Sequence, residues 1–178
     1  MRVFTAIPLP DEVKKKVGEI TKNRLPIAYV NTTNLHITLN FFGELTDMEV
    51  ERVKMIFPEA AKEKNKFSIA FDRLVKFHQQ IHLALKSNEA LAELQSSMQA
   101  VFESDGFRFQ ERTYYPHVKL ANLHMDHVMN PQRRIENFPH DELQHLNFTA
   151  DRVILYESRL LLHHPHYYPI LEIGLAKS

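Results

Sequence analysis

Two short segments, Asn34-Leu35-His36-Ile37-Thr38-Leu39 and Tyr115-Pro116-His117-Val118-Lys119-Leu120, carry a histidine inside the same alternation of polar and apolar residues. A period of two belongs to a strand with one covered face. It sets His36 with Thr38, and His117 with Lys119, on one side, and Ile37, Leu39, Val118 and Leu120 on the other. A chain that buries the second set in each half needs sheet structure with a packed face and an open face. The open face then presents both histidines.

An unperturbed imidazole titrates near ~6.5, so two of them presented in this way suit general acid-base chemistry at neutral pH. A phosphate ester between them is a natural substrate: one neutral ring takes a proton from water and the opposite imidazolium gives one to the leaving oxygen. Thr38 and Lys119 would hold the phosphoryl oxygens, and no metal or other cofactor is called for. The chain has eleven histidines, and a single strand histidine is more often packed or solvent-facing than catalytic. What singles out His36 and His117 is the repeated surround, Leu-His-Ile-Thr-Leu against Pro-His-Val-Lys-Leu, one copy in each half. His78, His82, His124, His127, His140 and His145 have no repeated context and read as structural or exposed. His163-His164-Pro165-His166 invites a metal reading, but it lacks an acidic or cysteine companion at fixed spacing, and a turn explains it better.

Composition narrows the partners. Lys plus Arg equals Asp plus Glu at 22 each, so there is no general attraction to nucleic acid, and an RNA end or a small cyclic nucleotide is favoured over a long duplex. The absence of cysteine excludes disulfides, a thiolate nucleophile and cysteine-based zinc sites. No apolar run approaches the ~18 residues of a membrane span, and the first residues lack a signal-peptide core. A cytoplasmic monomer without membrane contact is expected. Walker-type loops, Gly-x-Ser-x-Gly elbows and His-Glu-x-x-His helices are absent from the sequence, which removes several competing enzyme classes.

At 178 residues the chain fits one folding unit spanning residues 1–178. The pattern predicts a strand over Val3–Leu9, then a helix capped by Asp11 and running to about Lys22. The first motif strand follows over Leu35–Phe42, ending at Gly43. A helix from Thr46 or Asp47 to about Lys64 comes next, with Pro58 as a candidate kink or stop. Phe67–Val75 and Ile81–Leu85 read as a hairpin turning at His78-Gln79-Gln80. A helix from Asn88 to about Ser104, followed by Gly106, precedes the second motif strand over Tyr114–Leu123. Met125–Leu146 reads as loop with a short helix near Gln132–Asn137. Phe148–Ser158 and Tyr168–Leu175 close the chain as antiparallel strands across a loop at Leu162–Pro165. This order predicts an α+β protein of two similar lobes, with helices on the outside.

The two motifs, together with Arg2-Val3-Phe4-Thr5-Ala6-Ile7-Pro8-Leu9-Pro10, the run from Asn34 to Leu45, Val153 to Ser158 and Tyr168 to Leu171, resemble the 2H phosphoesterase superfamily. Within it they resemble the bacterial RNA 2',3'-cyclic phosphodiesterases, also called 2'-5' RNA ligase-like proteins, whose signature is two His-x-Thr/Ser-x motifs. The resemblance implies antiparallel sheets of the two lobes forming a central cleft, with His36 as proton donor and His117 as proton acceptor. It implies metal-independent opening of a 2',3'-cyclic phosphate to a 2'-phosphate, and the reverse joining of RNA by a 2'-5' bond. It also makes Phe41 the candidate for stacking on a base, with Phe42 as core, while Tyr114, Tyr115 and Arg112 read first as packing or surface residues. The second motif departs from the signature, with Lys119 for the hydroxyl and Asn122 where a basic residue is common. Lys119 either replaces both missing contacts or marks a noncatalytic protein that binds an RNA end or nucleotide. A phosphodiesterase for another small cyclic phosphate, such as an ADP-ribose cyclic phosphate, is a further alternative.

Overall fold

Each motif strand is delivered by a strand-helix unit, and the two units lie side by side. The computed structural model describes residues 1–22, 24–25, 32–123, 130–161 and 164–176, without the side chain of residue 164. In the first half, β1 (Arg2–Pro8) leads through α1 (Asp11–Lys22) and a 3₁₀ turn (Thr32–Asn34) to β2 (His36–Glu44) and α2 (Asp47–Ala60). In the second, β3 (Phe67–Phe77) and β4 (Gln80–Leu85) lead through α3 (Glu89–Ser104) to β5 (His117–Asn122). The chain closes with α4 (Pro131–Glu136), α5 (His140–Gln144), β6 (Asn147–Ala150), β7 (Arg152–Leu161) and β8 (His164–Gly174).

Local chemistry accounts for the helix ends. Thr46 and Glu49 close a reciprocal capping box on α2, and the Asn88 side chain accepts the Leu91 N–H at the start of α3, each satisfying an amide that the helix leaves open. Asp11 sits in the first turn of α1 rather than at its cap. Pro58 is accommodated inside α2, which stops at Ala60, short of Lys64; Glu63 just beyond adopts a left-handed φ of 58° that a continuing helix cannot hold.

All strand pairs are antiparallel, in one sheet ordered β6-β3-β4-β5-β2-β1-β7-β8. The antiparallel sheets expected of the two lobes are joined through β2 and β5, at the pair Ile37↔Val118. The sheet must curl, because β6 and β7, at distant places in that order, are separated by Asp151 alone. The curl is closed by a parallel bridge between Asn65 and Ala176, with Lys66 N–H donating to the Ala176 carbonyl at 3.0 Å and Ala176 N–H to that of Lys64 at 2.7 Å.

Three expected boundaries change for physical reasons. Phe148–Ser158 is two strands: on either side of Asp151 the chain pairs with β3 and then with β1. The second motif strand begins at His117, because Pro116 has no N–H to offer a ladder. Met125–Leu146 contains two short helices, α4 and α5, with His140 Nδ1 accepting the Leu74 N–H at 3.2 Å to tie α5 to β3; residues 124–129, including His124 and His127, lie outside the described set. Ile37, Val118, Phe57, Phe71, Met98, Phe102 and Leu155 are all fully buried, so apolar packing runs through both halves. Burial at ~1.5–3 kcal/mol for each large side chain is what holds the open face rigidly above it.

Candidate active site

The pairing of Ile37 with Val118 decides which side chains meet. Counting outward along both strands sets Thr38 opposite His117, and His36 opposite Lys119. Ile37 and Val118 point into the core with no exposure, and the four polar side chains share the other face. The open face therefore brings together all four residues predicted from the motifs.

Both histidines are oriented by the same device. Nδ1 of His36 lies 2.6 Å from the carbonyl of Asn34, and Nδ1 of His117 lies 2.8 Å from that of Tyr115, in each case two residues earlier. A carbonyl only accepts, so each Nδ1 carries the proton. Nε2 is then the nitrogen left to react: a base in the neutral ring, an acid once protonated. Asn34 is itself tethered, its side-chain amide donating to the carbonyl of Pro165 in β8 at 2.8 Å.

Their surroundings differ. His36 sits against Phe4 at 5.0 Å, meets Tyr167 edge-on at 5.0 Å and has Tyr156 at 6.3 Å. Burial among these rings lowers its pKa from 6.5 to about 4, against the opposing pull of the Asn34 carbonyl, and the positive charges of His117, Lys119 and Lys14 add to the lowering. Beside it is a cavity of about 260 Å³, lined in part by Lys14, Asn34, Tyr156, Tyr167 and Glu172. Burial also lowers the pKa of His117, with the Tyr115 carbonyl opposing and Arg112 and Lys119 adding their charge. Lys119 has its own pKa drawn below the ordinary value by desolvation.

His82 was not legible as part of this site, and the structure places it there. Its ring lies on that of His117 with centroids 3.9 Å apart and planes 11° apart. The opposite neighbour is Phe77, at 5.3 Å and 26°. His82 is 2% exposed, so of the two readings, structural or exposed, the exposed one is set aside: it is buried beside His117. A bulge put it there. The register of β4 against β5 slips between Ile81 and His82, so that His82 pairs with Lys119 and Ala84 with His117.

The aromatic candidates also separate. Bulges in β2 against β1 pair Phe41 with Phe4, whose ring touches His36, so Phe41 lies on the open side at 40% exposure, with the Arg2 guanidinium 4.9 Å above its ring. Phe42 turns inward onto Phe102, Phe107 and Phe109. Tyr114 is a packing residue whose hydroxyl donates to the Thr38 carbonyl at 2.9 Å, while Tyr115 is exposed and stacks on His117 at 5.5 Å. Arg112 is exposed and acts on His117 through its charge. Of the histidine tract, residue 163 and the side chain of residue 164 lie outside the described set, and His166 is exposed. Among the described residues, no helix is long and apolar enough to cross a membrane.

The chain is similar to several known proteins. RNA 2',3'-cyclic phosphodiesterase of Bacillus subtilis is 29% identical over 127 residues, 66% of this chain and 69% of its own length. The protein of that name from Methanocaldococcus jannaschii is 26% identical over 177 residues, 97% of this chain and 99% of its own. Among solved structures, Escherichia coli LigT complexed with 3'-AMP superimposes with a TM-score of 0.79 at 18% identity, covering 99% of this chain and 98% of that one. TT0787 of Thermus thermophilus gives 0.79 at 21% identity and covers 99% of both. These two likenesses bear on the fold. The family model of the 2'-5' RNA ligase superfamily matches residues 9–160, and the chain therefore belongs to that superfamily, among the 2H phosphoesterases.

Proposed function

We propose that the protein hydrolyses a 2',3'-cyclic phosphate at an RNA end or on a nucleotide, leaving a 2'-phosphate. The observation that carries this reading is the common placement of His36, Thr38, His117 and Lys119 on one face, with Nδ1 of each histidine held by a carbonyl and Nε2 without a hydrogen-bond partner among the described residues. Water attacks phosphorus and the P–O3' bond breaks. One Nε2 takes the water proton, while the other, protonated, gives its proton to O3'. Thr38 and the Lys119 ammonium hold the phosphoryl oxygens, and the ammonium opposes the charge that builds in the pentacoordinate state. With an RNA 5'-hydroxyl in place of water, the same proton movements form a 2'-5' bond. The reaction needs no metal, and Phe41 is the side chain available to stack on a base. The protein works as a cytoplasmic monomer.

Family resemblance makes His36 the donor and His117 the acceptor. The burial of His36 favours the reverse pairing, because a ring with a pKa of about 4 is neutral in the free protein and ready to accept. A substrate with sulfur in place of O3' separates the two, since a thiolate leaves without an acid. The variant lacking the donor recovers on this substrate, and the variant lacking the acceptor does not.

The test of the activity is phosphorus NMR of an RNA oligonucleotide ending in 2',3'-cyclic phosphate, incubated in EDTA with the protein and its His36→Ala and His117→Ala variants. Conversion to the 2'-phosphate by the wild type, abolished in both variants, is expected. Binding of the oligonucleotide without conversion would replace this reading by that of a noncatalytic RNA-end binder.

A further inference from the structure

We propose that His82 is a positioning residue for His117: a neutral, buried ring that holds the His117 imidazole flat in its reactive orientation. The proposal rests on His117 being a proton carrier of the reaction proposed above.

Geometry makes the case. A side-chain contact to the Tyr115 carbonyl fixes one edge of the His117 ring, but a ring on a single hydrogen bond still pivots about it. A second plane against its face removes that freedom, and the ring of His82, 3.9 Å away and within 11° of parallel, is such a plane. His82 is itself clamped. Phe77 covers its far face, and its Nε2 lies 2.7 Å from Gln80 Oε1, which as an amide oxygen accepts the Nε2 proton.

The charge state follows from what surrounds it. His82 Nδ1 is buried and has no hydrogen-bond partner among the described residues, so none of them receives a second proton there. The ionisable groups of β5 that face the ring are His117 and Lys119, both of which oppose a positive charge on it, as burial does first. From its own strand it meets the uncharged amide of Gln80, and from β3 the phenyl ring of Phe77. A neutral π face next to His117 welcomes the imidazolium that forms when His117 carries a proton. A charged His82 would instead repel it.

The position that matches His82 by register in the first half is Ala6, opposite Thr38 as His82 is opposite Lys119, and the ring against His36 comes from farther along β1. It is that of Phe4, on the strand that pairs with β2 as β4 pairs with β5. His82 thus does for His117 what a phenyl ring does for His36, which predicts that phenylalanine can replace it.

The experiment uses protein labelled with ¹⁵N at histidine, read by long-range ¹⁵N–¹H correlation across pH, alongside steady-state rates on the cyclic-phosphate oligonucleotide. In the wild type, His117 is expected as the Nδ1–H tautomer, titrating below 6.5. His82→Phe should keep that spectrum and stay within about threefold in kcat, whereas His82→Ala should mix the tautomers and lower kcat about tenfold with KM little changed. An unchanged His117 spectrum and kcat in His82→Ala overturns the proposal, and so does His82→Phe failing as badly as His82→Ala while still folded. If His82→Ala does not fold, the wild-type spectrum decides: a His117 with mixed tautomers, titrating at the ordinary value, overturns it. Absence of turnover by the wild type refutes the proposed reaction and leaves this spectroscopic arm readable.

Discussion

The two halves of the site use one backbone device in two electrostatic settings. His36 and His117 each give Nδ1–H to the carbonyl two residues back, each follows a strand-helix unit, and each starts its strand. Beyond that the halves diverge. His36 is enclosed by Phe4, Tyr156 and Tyr167 and has Thr38 two residues on; His117 lies between the exposed Tyr115 and the buried His82 and has Lys119 two residues on. Orientation is thus set by the repeated backbone, and proton affinity by side chains that the repeat does not share. Two groups oriented alike thus stand in different surroundings, each with its pKa lowered first by burial.

Removing either histidine is the largest perturbation. His36→Ala and His117→Ala should each lower kcat by about a thousandfold, within the range of a lost acid or base, and the double variant should fall little further, because the two act as a unit. Additive losses in single-turnover rates would mean that the halves work independently. Next in size is the joint itself. Ile37→Ala and Val118→Ala remove fully buried side chains from the pair that joins the two halves, and Ile37→Ala should cost about 2–5 kcal/mol in denaturant unfolding, with Val118→Ala at the low end. A loss below ~1 kcal/mol would show that the joint is not where the halves are held.

Acid should expose the contrast in enclosure. His36 and His82 titrate near 4 when folded, against 6.5 for the free imidazole. Between these values the unfolded chain binds more protons than the folded one. The stability linked to each ring is therefore complete above the unfolded pKa and is lost as pH falls toward 4, on the order of 3 kcal/mol per ring. Urea melts from pH 7 down to pH 4 should show the slope, and His82→Phe should make it shallower. An equal slope in that variant would place the destabilisation elsewhere. Smaller still is Lys119→Thr, which restores the hydroxyl and makes the halves alike. Because the Lys119 charge lowers the pKa of both motif histidines, these values should rise and the acid limb of kcat/KM move to higher pH, with about a tenfold loss at neutral pH if the ammonium binds phosphate. A gain in rate would mean that lysine hinders the reaction.

The alternation around His36 and His117 was enough to read the two strands and the polar residues on one face of each, because period two follows from the backbone alone; that the two faces meet came from the family resemblance. The helix α3 was legible from its amphipathic spacing and its flanking Asn88 and Gly106, and α1 from Asp11, although that residue lies in the first turn rather than at the cap. What the sequence hid depends on pairing. No local signal separates β6 from β7 at Asp151, since the break exists only because the two stretches add to different neighbours in a curled sheet. His82 was hidden for the same reason: it reaches His117 through a bulge in β4 against β5, and a register slip leaves no mark in the order of residues. A buried imidazole in an apolar run, Ile81-His82-Leu83, was the one available hint, and it points to a partner without naming it.

The finest difference between the halves is how each carbonyl that orients a histidine is itself held. Asn34 is anchored from its side chain to Pro165 in β8, so the backbone that fixes His36 is tied to the outermost strand of its half. Tyr115 has an exposed ring against His117, which its own carbonyl orients. Asn34→Ala should cost about 1 kcal/mol in stability, the net worth of one neutral hydrogen bond. Its effect on catalysis should exceed what that figure suggests for a remote residue, because it loosens the carbonyl that sets the His36 tautomer. The expected pattern is a lowered kcat with KM unchanged, and a His36 ring that populates both tautomers while His117 keeps one. Asn34→Asp offers the control: a carboxylate cannot donate to the Pro165 carbonyl, so it should lose the tether as alanine does. If both variants retain a single His36 tautomer and full kcat, the Asn34 carbonyl is held by the strand alone, and the two halves are oriented alike after all.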